Sequence, residues 1–554
     1  MEIFKRIAEE LELKEEQVAA TVELMDQGNT LPFIARYRKE VTGNLDDQVL
    51  RQLEEKLNFY RGLEERKETV LRLLEEQGNL TDELKKEIDK AQSLQRVEDI
   101  YRPFRPKKRT RATIAQEKGL GPLAEYLLEG KGTEEELLLY AKEFLSEEKE
   151  VETVQEALVY AQDILADQFS DDSQARNIVR RESFFSGRIQ SEGTEDMDSV
   201  YEVYQDFSEP LRSMKPHRTL AIFRGEKEDS LRISFAFPDD VILRKLRGLY
   251  LDENHGFPHY VEEALEDGYK RLLKPSIETE TRNALKEVAD SESIEVFKNN
   301  LRPYLMQPPI AGQVVMGLDP GFRTGCKLAV VGGLGELLDY TTIYPTKPRE
   351  DVVGSKKVIS SMVEKYGVTL IAIGNGTASR ETEAVVASYI EESGAKIHYA
   401  IVNESGASIY SASPLAQEEF PQLDVSIRGA VSIARRIQDP LAELVKIEPR
   451  HIGVGQYQHD VNQKMLNESL EKVVEDVVNA VGVNVNQASF SLLSYVAGIS
   501  KNLAKAIVQY KEEKGGFSSR KDFLEVKGLG PKTFEQCAGF LRVPESSDPL
   551  DHTA

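Results

Sequence analysis

Two short turns near the C-terminus carry the most specific chemical pattern in the chain. Val-Ala-Gly-Ile-Ser-Lys (496–501) and Val-Lys-Gly-Leu-Gly-Pro-Lys (526–532) share one plan, with Gly498 and Gly528 each followed by an apolar residue, a small residue and a basic helix start. Glycine permits positive φ and lets another backbone come close. The exposed N–H groups of such a turn, and of the helix that follows, form a site for a phosphate. Pro531 suits a first helical position, where its missing N–H costs nothing. Gly498, Ser500, Lys501, Lys527, Gly528, Gly530, Lys532 and Thr533 are therefore the candidate phosphate contacts. They would hold sugar-phosphate backbone and read no sequence. A glycine-capped helix turn gives this pattern once by chance. Two copies 30 positions apart predict a tandem helix-hairpin-helix module. Ser500, in place of a second glycine, makes the first hairpin the weaker site.

A second group consists of carboxylates. Asp319 closes the apolar run Val314 to Asp319, Glu404 follows the run ending at Val402, and Asp424 and Asp439 flank a helical segment. Two-metal hydrolysis needs acids converging from strand ends and a last helix. Asp319, Glu404 and Asp439 are the candidates if this chain is a nuclease. Against that reading, Gly374-Asn375-Gly376 stands where a resolvase-type site needs an acid, and Asp319 begins a turn-forming Asp-Pro-Gly triplet. The expectation is a catalytically silent domain with no dedicated cofactor. Asp319 alone would hold at most one hydrated Mg²⁺ weakly.

The third group is basic. Arg105, Lys107, Lys108 and Arg109 lie in a proline-broken stretch (101–111) read as having no carboxylates nearby, a candidate phosphate strap or else a merely solvated loop. Lys215 to Arg218 is a weaker candidate, followed by a run read as a β-hairpin around 225–229. Local clustering matters here because the chain as a whole is acidic, with a net charge of −24. Screening confines each phosphate contact to about 8–10 Å, so net charge alone excludes nothing.

These groups need elements to position them. At 554 residues, with 40% apolar and 30% charged side chains, the chain reads as a multidomain globular protein with no membrane-spanning run and no signal-peptide core. Cys326 and Cys537 have no metal-ligand spacing and read as buried residues of a reducing compartment. Residues 1–310 show helical periodicity and predict an all-α scaffold. Residues 311–445 predict βββαβαβα, the ribonuclease-H-like order, with a last helix near 430–444. Residues 446–545 return to helix and hold the hairpins, and 546–554 form a polar tail. The fold class is thus mainly α, with one α/β domain and a tandem hairpin module.

Longer motifs carry a family resemblance. Leu31 to Gly43, Gly317 to Gly325, Gly374 to Thr382, Val402 to Ser411, Ser432 to Leu441 and Asn479 to Asn484 resemble the bacterial Tex family, in family order along nearly the whole chain. The resemblance implies a helix-turn-helix-like N-terminal part, a YqgF-type ribonuclease-H-like domain, tandem hairpins and a relation to a larger eukaryotic elongation factor. It also implies a C-terminal S1 domain beyond Ala554, so this sequence is read as a fragment. The expected function is sequence-nonspecific binding of RNA or DNA by a cytoplasmic transcription accessory factor, with RNA polymerase or its machinery as a partner. A metal-dependent nuclease and a protein-docking scaffold are the alternatives.

Overall fold

The computed structural model describes residues 2–106, 109–310 and 312–554. The chain forms two compact units, one of residues 54–292 and the other of 1–53 together with 293–554. The compact units do not follow the boundaries read from the sequence, since the expected 1–310 scaffold is divided between them.

In the 54–292 unit, helix starts follow from local capping chemistry. Thr133 and Thr153 each accept a hydrogen bond from the N–H of a glutamate three residues on, whose side chain bonds back, as Thr-x-x-Glu predicts. The core joins the helix Val154–Asp171 to Pro258–Asp267 and Gly121–Glu129 through Leu123, Leu158, Leu165 and Val261. Arg176, fully buried, is held by Glu280, Asp99, the Ser170 carbonyl and Ser276, while Arg180 pairs with Asp99 at 3.0 Å and Glu280 at 2.9 Å. This ion cluster clamps three helices that the apolar pattern alone would leave free to slide.

The unit is not all-α. Strands β1 (Arg188–Gly193), β2 (Asp206–Pro210) and β3 (Leu231–Ala236) form an antiparallel sheet in the order β2-β1-β3. The expected hairpin was half right. Leu231–Ala236 is a strand, but its partner is β1, and the stretch holding Leu220 and Ile222 is the helix Pro216–Lys227. Pro216 at the helix start, and burial of Thr219 to Ile222 on successive positions, override the brief alternation.

In the other unit the α/β order is as expected. Strands β4 (Val315–Asp319), β5 (Cys326–Val331), β6 (Leu337–Ile343), β7 (Leu370–Gly374) and β8 (His398–Val402) pair in the order β6-β5-β4-β7-β8. The first three are antiparallel and β4, β7 and β8 parallel. Apolar residues cover both faces, Met316, Leu328 and Ile371 on one and Val315, Ala329 and Ala372 on the other. The last helix is Val425–Gln438, and it ends before Asp439-Pro440. It lies so close to β4 that a Cβ on Gly317 would collide with the Ala430 carbonyl. Both cysteines are fully buried and free. Among the described residues no helix is long and apolar enough to cross a membrane.

The N-terminal helices belong to this unit because of polar contacts with its C-terminal helices. Arg51 reaches Glu475 at 2.8 Å and Asp476 at 2.7 Å on the helix Gln463–Val481, and the side chains of Arg51 and Asp476 are 13% and 12% exposed. Removing one partner of such a group strands the other charge, at a cost of about 3–5 kcal/mol. Arg51→Leu is expected to lower the unfolding free energy of this unit by that order, read as a lower urea midpoint. Adding Asp476→Asn should recover part of the loss, and an unchanged midpoint in Arg51→Leu would show that the cluster contributes nothing.

Candidate nucleic-acid interface

Both hairpins adopt the geometry their spacing predicts. Gly498 and Gly528 have φ of +78° and +91°. In each, the next residue anchors the turn inward, Ile499 at 6% and Leu529 at 4% exposed, and its N–H bonds the carbonyl three residues back. Gly498, Ser500, Lys501, Lys527, Gly528, Gly530 and Lys532 are exposed around these anchors, and Thr533 is half-buried.

The two turns differ in what they offer a phosphate. Ser500 caps the helix Lys501–Lys514, its hydroxyl accepting from Leu503 N–H at 3.2 Å. That hydroxyl already occupies a donor an anion would use. A cavity of 570 Å³ opens beside the Gly498 turn and is lined by Glu468, Glu471, Lys472 and Glu475 as well as Tyr495. Burial and the charges of Glu471 and Glu448 raise the Tyr495 phenol. A Cβ on Gly498 would lie 2.8 Å from the Gln536 Cβ, so the second hairpin packs on the first. The Gly528 turn is the reverse case. A Cβ on Gly528 or Gly530 would meet nothing within 4 Å, and Gly530 brings no hydroxyl to the first turn of Pro531–Cys537. Among the described residues, Lys501 and Lys527 make no ion pair or side-chain hydrogen bond. Lys532 does: its ammonium donates to the Gln27 carbonyl at 3.1 Å while staying exposed.

Three arginines of the basic stretch are paired, contrary to expectation. Arg105 pairs with Glu98, Arg109 with Glu117 at 3.3 Å and Arg102 with Asp171 at 3.0 Å. The acids come from neighbouring helices and from 69 positions along the chain, which a local reading of sequence misses. Lys107 and Lys108 lie outside the described residues.

At the sheet, Asp319 and Glu404 do come together. Burial and the charge of Glu404 push Asp319 up to about 6, against the pull of Lys327. Burial raises Glu404 too, against a hydrogen bond from Gly376 and the charge of Arg436. Gly374 and Gly376 leave room for the Glu404 carboxylate, since a Cβ on either would collide with it, and its Oε2 is buried without a hydrogen bond. Asn375 Oδ1 accepts from Glu404 N–H at 3.1 Å, and Arg436 holds the same loop through the carbonyls of Asn403 and Ser405 at 2.6 and 2.8 Å. Asp439 is elsewhere. It caps Pro440–Leu444 through Ala442 N–H, and the residue facing Asp319 on the last helix is Gly429, ten positions earlier or about 15 Å along the axis. Among the described residues no group of three or more His, Cys, Asp or Glu side chains is placed to hold a metal. The pair alone does not fit a two-metal centre.

An acid whose folded pKa lies above its unfolded value binds extra protons when native, so stability falls as pH rises between the two. For Asp319 that window runs from the ordinary 3.8 to about 6. Asp319→Asn removes the cost and is expected to stabilise the protein by up to about 3 kcal/mol above pH 7. The gain should vanish below pH 4. Melting curves across pH check it, and a destabilised variant at pH 7.5 would contradict the assignment.

Comparisons with known proteins match this architecture segment by segment. Family models match at residues 1–75 (Tex-like protein N-terminal domain), 136–297 (Tex central region-like), 313–438 (Tex protein YqgF-like domain) and 478–542 (helix-hairpin-helix motif). The chain is 49% identical over 554 residues to uncharacterized protein YdcI of Bacillus subtilis, covering 99% of this chain and 77% of that one. It is 45% identical over 569 residues to transcriptional accessory protein Tex of Neisseria gonorrhoeae, covering 100% and 73%. To human S1 RNA-binding domain-containing protein 1 it is 37% identical over 546 residues, covering 95% and 54%.

Proposed function

This chain belongs to the Tex family, and from that premise we propose that it is a cytoplasmic transcription accessory factor that grips nucleic-acid backbone without sequence preference, chiefly through its second hairpin. The observation that carries the reading is the Gly528–Gly530 turn, exposed, left-handed at Gly528 and open around both glycines. A phosphate seated there meets the free N–H groups of a helix start and the positive end of its dipole. Lys527 adds a charge with no competing acid partner, and Lys532 adds one that exchanges a single carbonyl contact for phosphate. The names of the relatives, one a transcriptional accessory protein and one an S1 RNA-binding domain-containing protein, support the same direction. RNA polymerase or its machinery is the partner the reading implies.

Gly530 has φ −85°, so a side chain fits there without strain. Gly530→Glu therefore places a carboxylate on the phosphate position of a still-folded turn. Binding to duplex and single-stranded DNA and RNA is expected to weaken by about ten-fold, the order of one lost charged contact. Lys527→Ala should reduce the slope of log K against log salt by about one unit. Equal affinity in folded Gly530→Glu would remove the hairpin from the interface and favour a protein-docking role.

The same reading makes the ribonuclease-H-like domain a platform and not a nuclease. The support is the donor set, two acids with no third beside them among the described residues and a neutral Asn375 at the end of β7. Hydrolysis by two metals needs both ions held together. Purified protein incubated with branched DNA, duplex DNA and structured RNA in Mg²⁺ or Mn²⁺ is expected to leave them intact. Cleavage that disappears in Asp319→Asn would make the domain an enzyme.

A further inference from the structure

We propose that the surface around Phe184 and Phe185 in the 54–292 unit binds single-stranded nucleic acid, stacking bases on the two rings while surrounding arginines hold the phosphates. Both phenylalanines sit at the end of the helix Ser173–Ser186, 52% and 54% exposed, with ring centroids 5.7 Å apart in an edge arrangement. Two adjacent phenyl rings that leave about half their surface in water form an exposed apolar spot of the kind that marks a contact surface.

Basic side chains outnumber the acids, Glu182 and Asp240, on the elements around them. Arg181 lies three and four residues before the rings, hence on the same helix face. The helix Asp239–Tyr250 packs alongside, tied by Lys245 to Glu182 at 2.5 Å, and presents Arg244 and Lys245 outward. The 3₁₀ turn Leu211–Ser213 packs under the same helix end, Leu211 N–H bonding the Gly187 carbonyl at 3.0 Å, and exposes Arg212. Arg188 opens β1 and donates to Ser208 Oγ at 2.8 Å and to its carbonyl at 3.0 Å. Among the described residues, Arg181, Arg212 and Arg244 have no carboxylate partner. Three free guanidinium groups in a chain of net charge −24 are a local reversal of sign.

The occupant follows from that chemistry. An acidic peptide would satisfy the arginines and leave the rings wet. A duplex satisfies phosphate contacts but hides its base faces. A single strand carries one phosphate and one free π-face per residue, and base–aromatic stacking tolerates any sequence. The surface is separate from the hairpins, so the inference stands whether or not the Gly528 turn binds.

The chain contains no tryptophan, so Phe184→Trp creates a single fluorescent reporter in the full protein. Titration with labelled oligouridylate and oligothymidylate should quench the new indole in step with oligonucleotide anisotropy. The quenching should persist when Gly530→Glu is added. Phe184→Ala with Phe185→Ala, melting as wild type, should weaken single-strand binding by about ten-fold or more and leave duplex binding unchanged. Arg181→Ala with Arg212→Ala should lower the single-strand salt slope by about one unit or more. An oligonucleotide that saturates without altering the indole emission would overturn the proposal while leaving the hairpin reading intact. Quenching by polyglutamate, or equally by duplex, would overturn it in favour of another occupant. Absence of any oligonucleotide binding would overturn both readings.

Discussion

One buried amide ties together the parts of the 1–53 and 293–554 unit that matter most. Gln536 is 5% exposed, and its Nε2 donates to Asn29 Oδ1 at 2.9 Å while its Oε1 accepts from Thr30 N–H at 3.0 Å and Thr30 Oγ1 at 3.2 Å. Its Cβ packs where a side chain on Gly498 would have to go. A single residue of the second hairpin helix thus fixes the N-terminal turn on one side and the first hairpin turn on the other. Because the contacts span more than 500 positions, they form only after a long loop closes, and the buried amide must be fully satisfied to be tolerated at all. Glutamine meets most of that demand, its oxygen accepting twice and one amide N–H donating in the opposite sense.

Asn479 does the corresponding work for the first hairpin. Its side chain donates to the carbonyls of Glu475 at 2.7 Å and Tyr495 at 3.0 Å and accepts from Ala497 N–H at 2.8 Å, while its own carbonyl accepts from Arg36 at 3.3 Å. The residue before Gly498 is therefore held from the neighbouring helix and cannot drift. Turns fixed in this way present their N–H groups without having to order them on binding, which is the condition for a useful anion site. The rigidity comes from polar groups, whereas the burial of Ile499 and Leu529 supplies the direction in which each turn faces.

Much of this was legible in the sequence wherever the cause is local. The Gly-x-small spacing gave the turns their left-handed glycines, and apolar runs with their breaks gave the five strands and their crossover helices, to within a few residues. What could not be read depends on which elements form and what they pack against. Arg105 and Arg109 looked free because Glu98 and Glu117 reach them only once helices form. The helix Pro216–Lys227 passed for a strand because burial of Thr219 to Ile222 depends on what packs against it. Asp439 looked like a third acid until the last helix ended one residue before it, turning the side chain into a cap. The grouping of 1–53 with the C-terminal half rests on Arg36, Arg51, Asn29 and Thr30, each unremarkable in its own stretch of sequence.

Net acidity and backbone binding are reconciled by where the acids stand. The cavity beside the Gly498 turn is lined by Glu468, Glu471 and Glu475, the last paired with Arg51, together with Lys472, so a phosphate approaching there meets an acid-rich, partly neutralised wall within the screening distance of about 8–10 Å. The Gly528 turn has open space around both glycines and, among the described residues, two lysines that form no ion pair. The two copies of one motif are consequently unequal in electrostatics as well as in capping, and both inequalities act in the same direction. Ser500 satisfies a donor that Gly530 leaves open, and the acidic wall repels what the serine already displaces. Under the proposed reading, such a module would hold phosphate at one point and use its other copy to brace that point, the local field of the second turn outweighing the sum over the molecule.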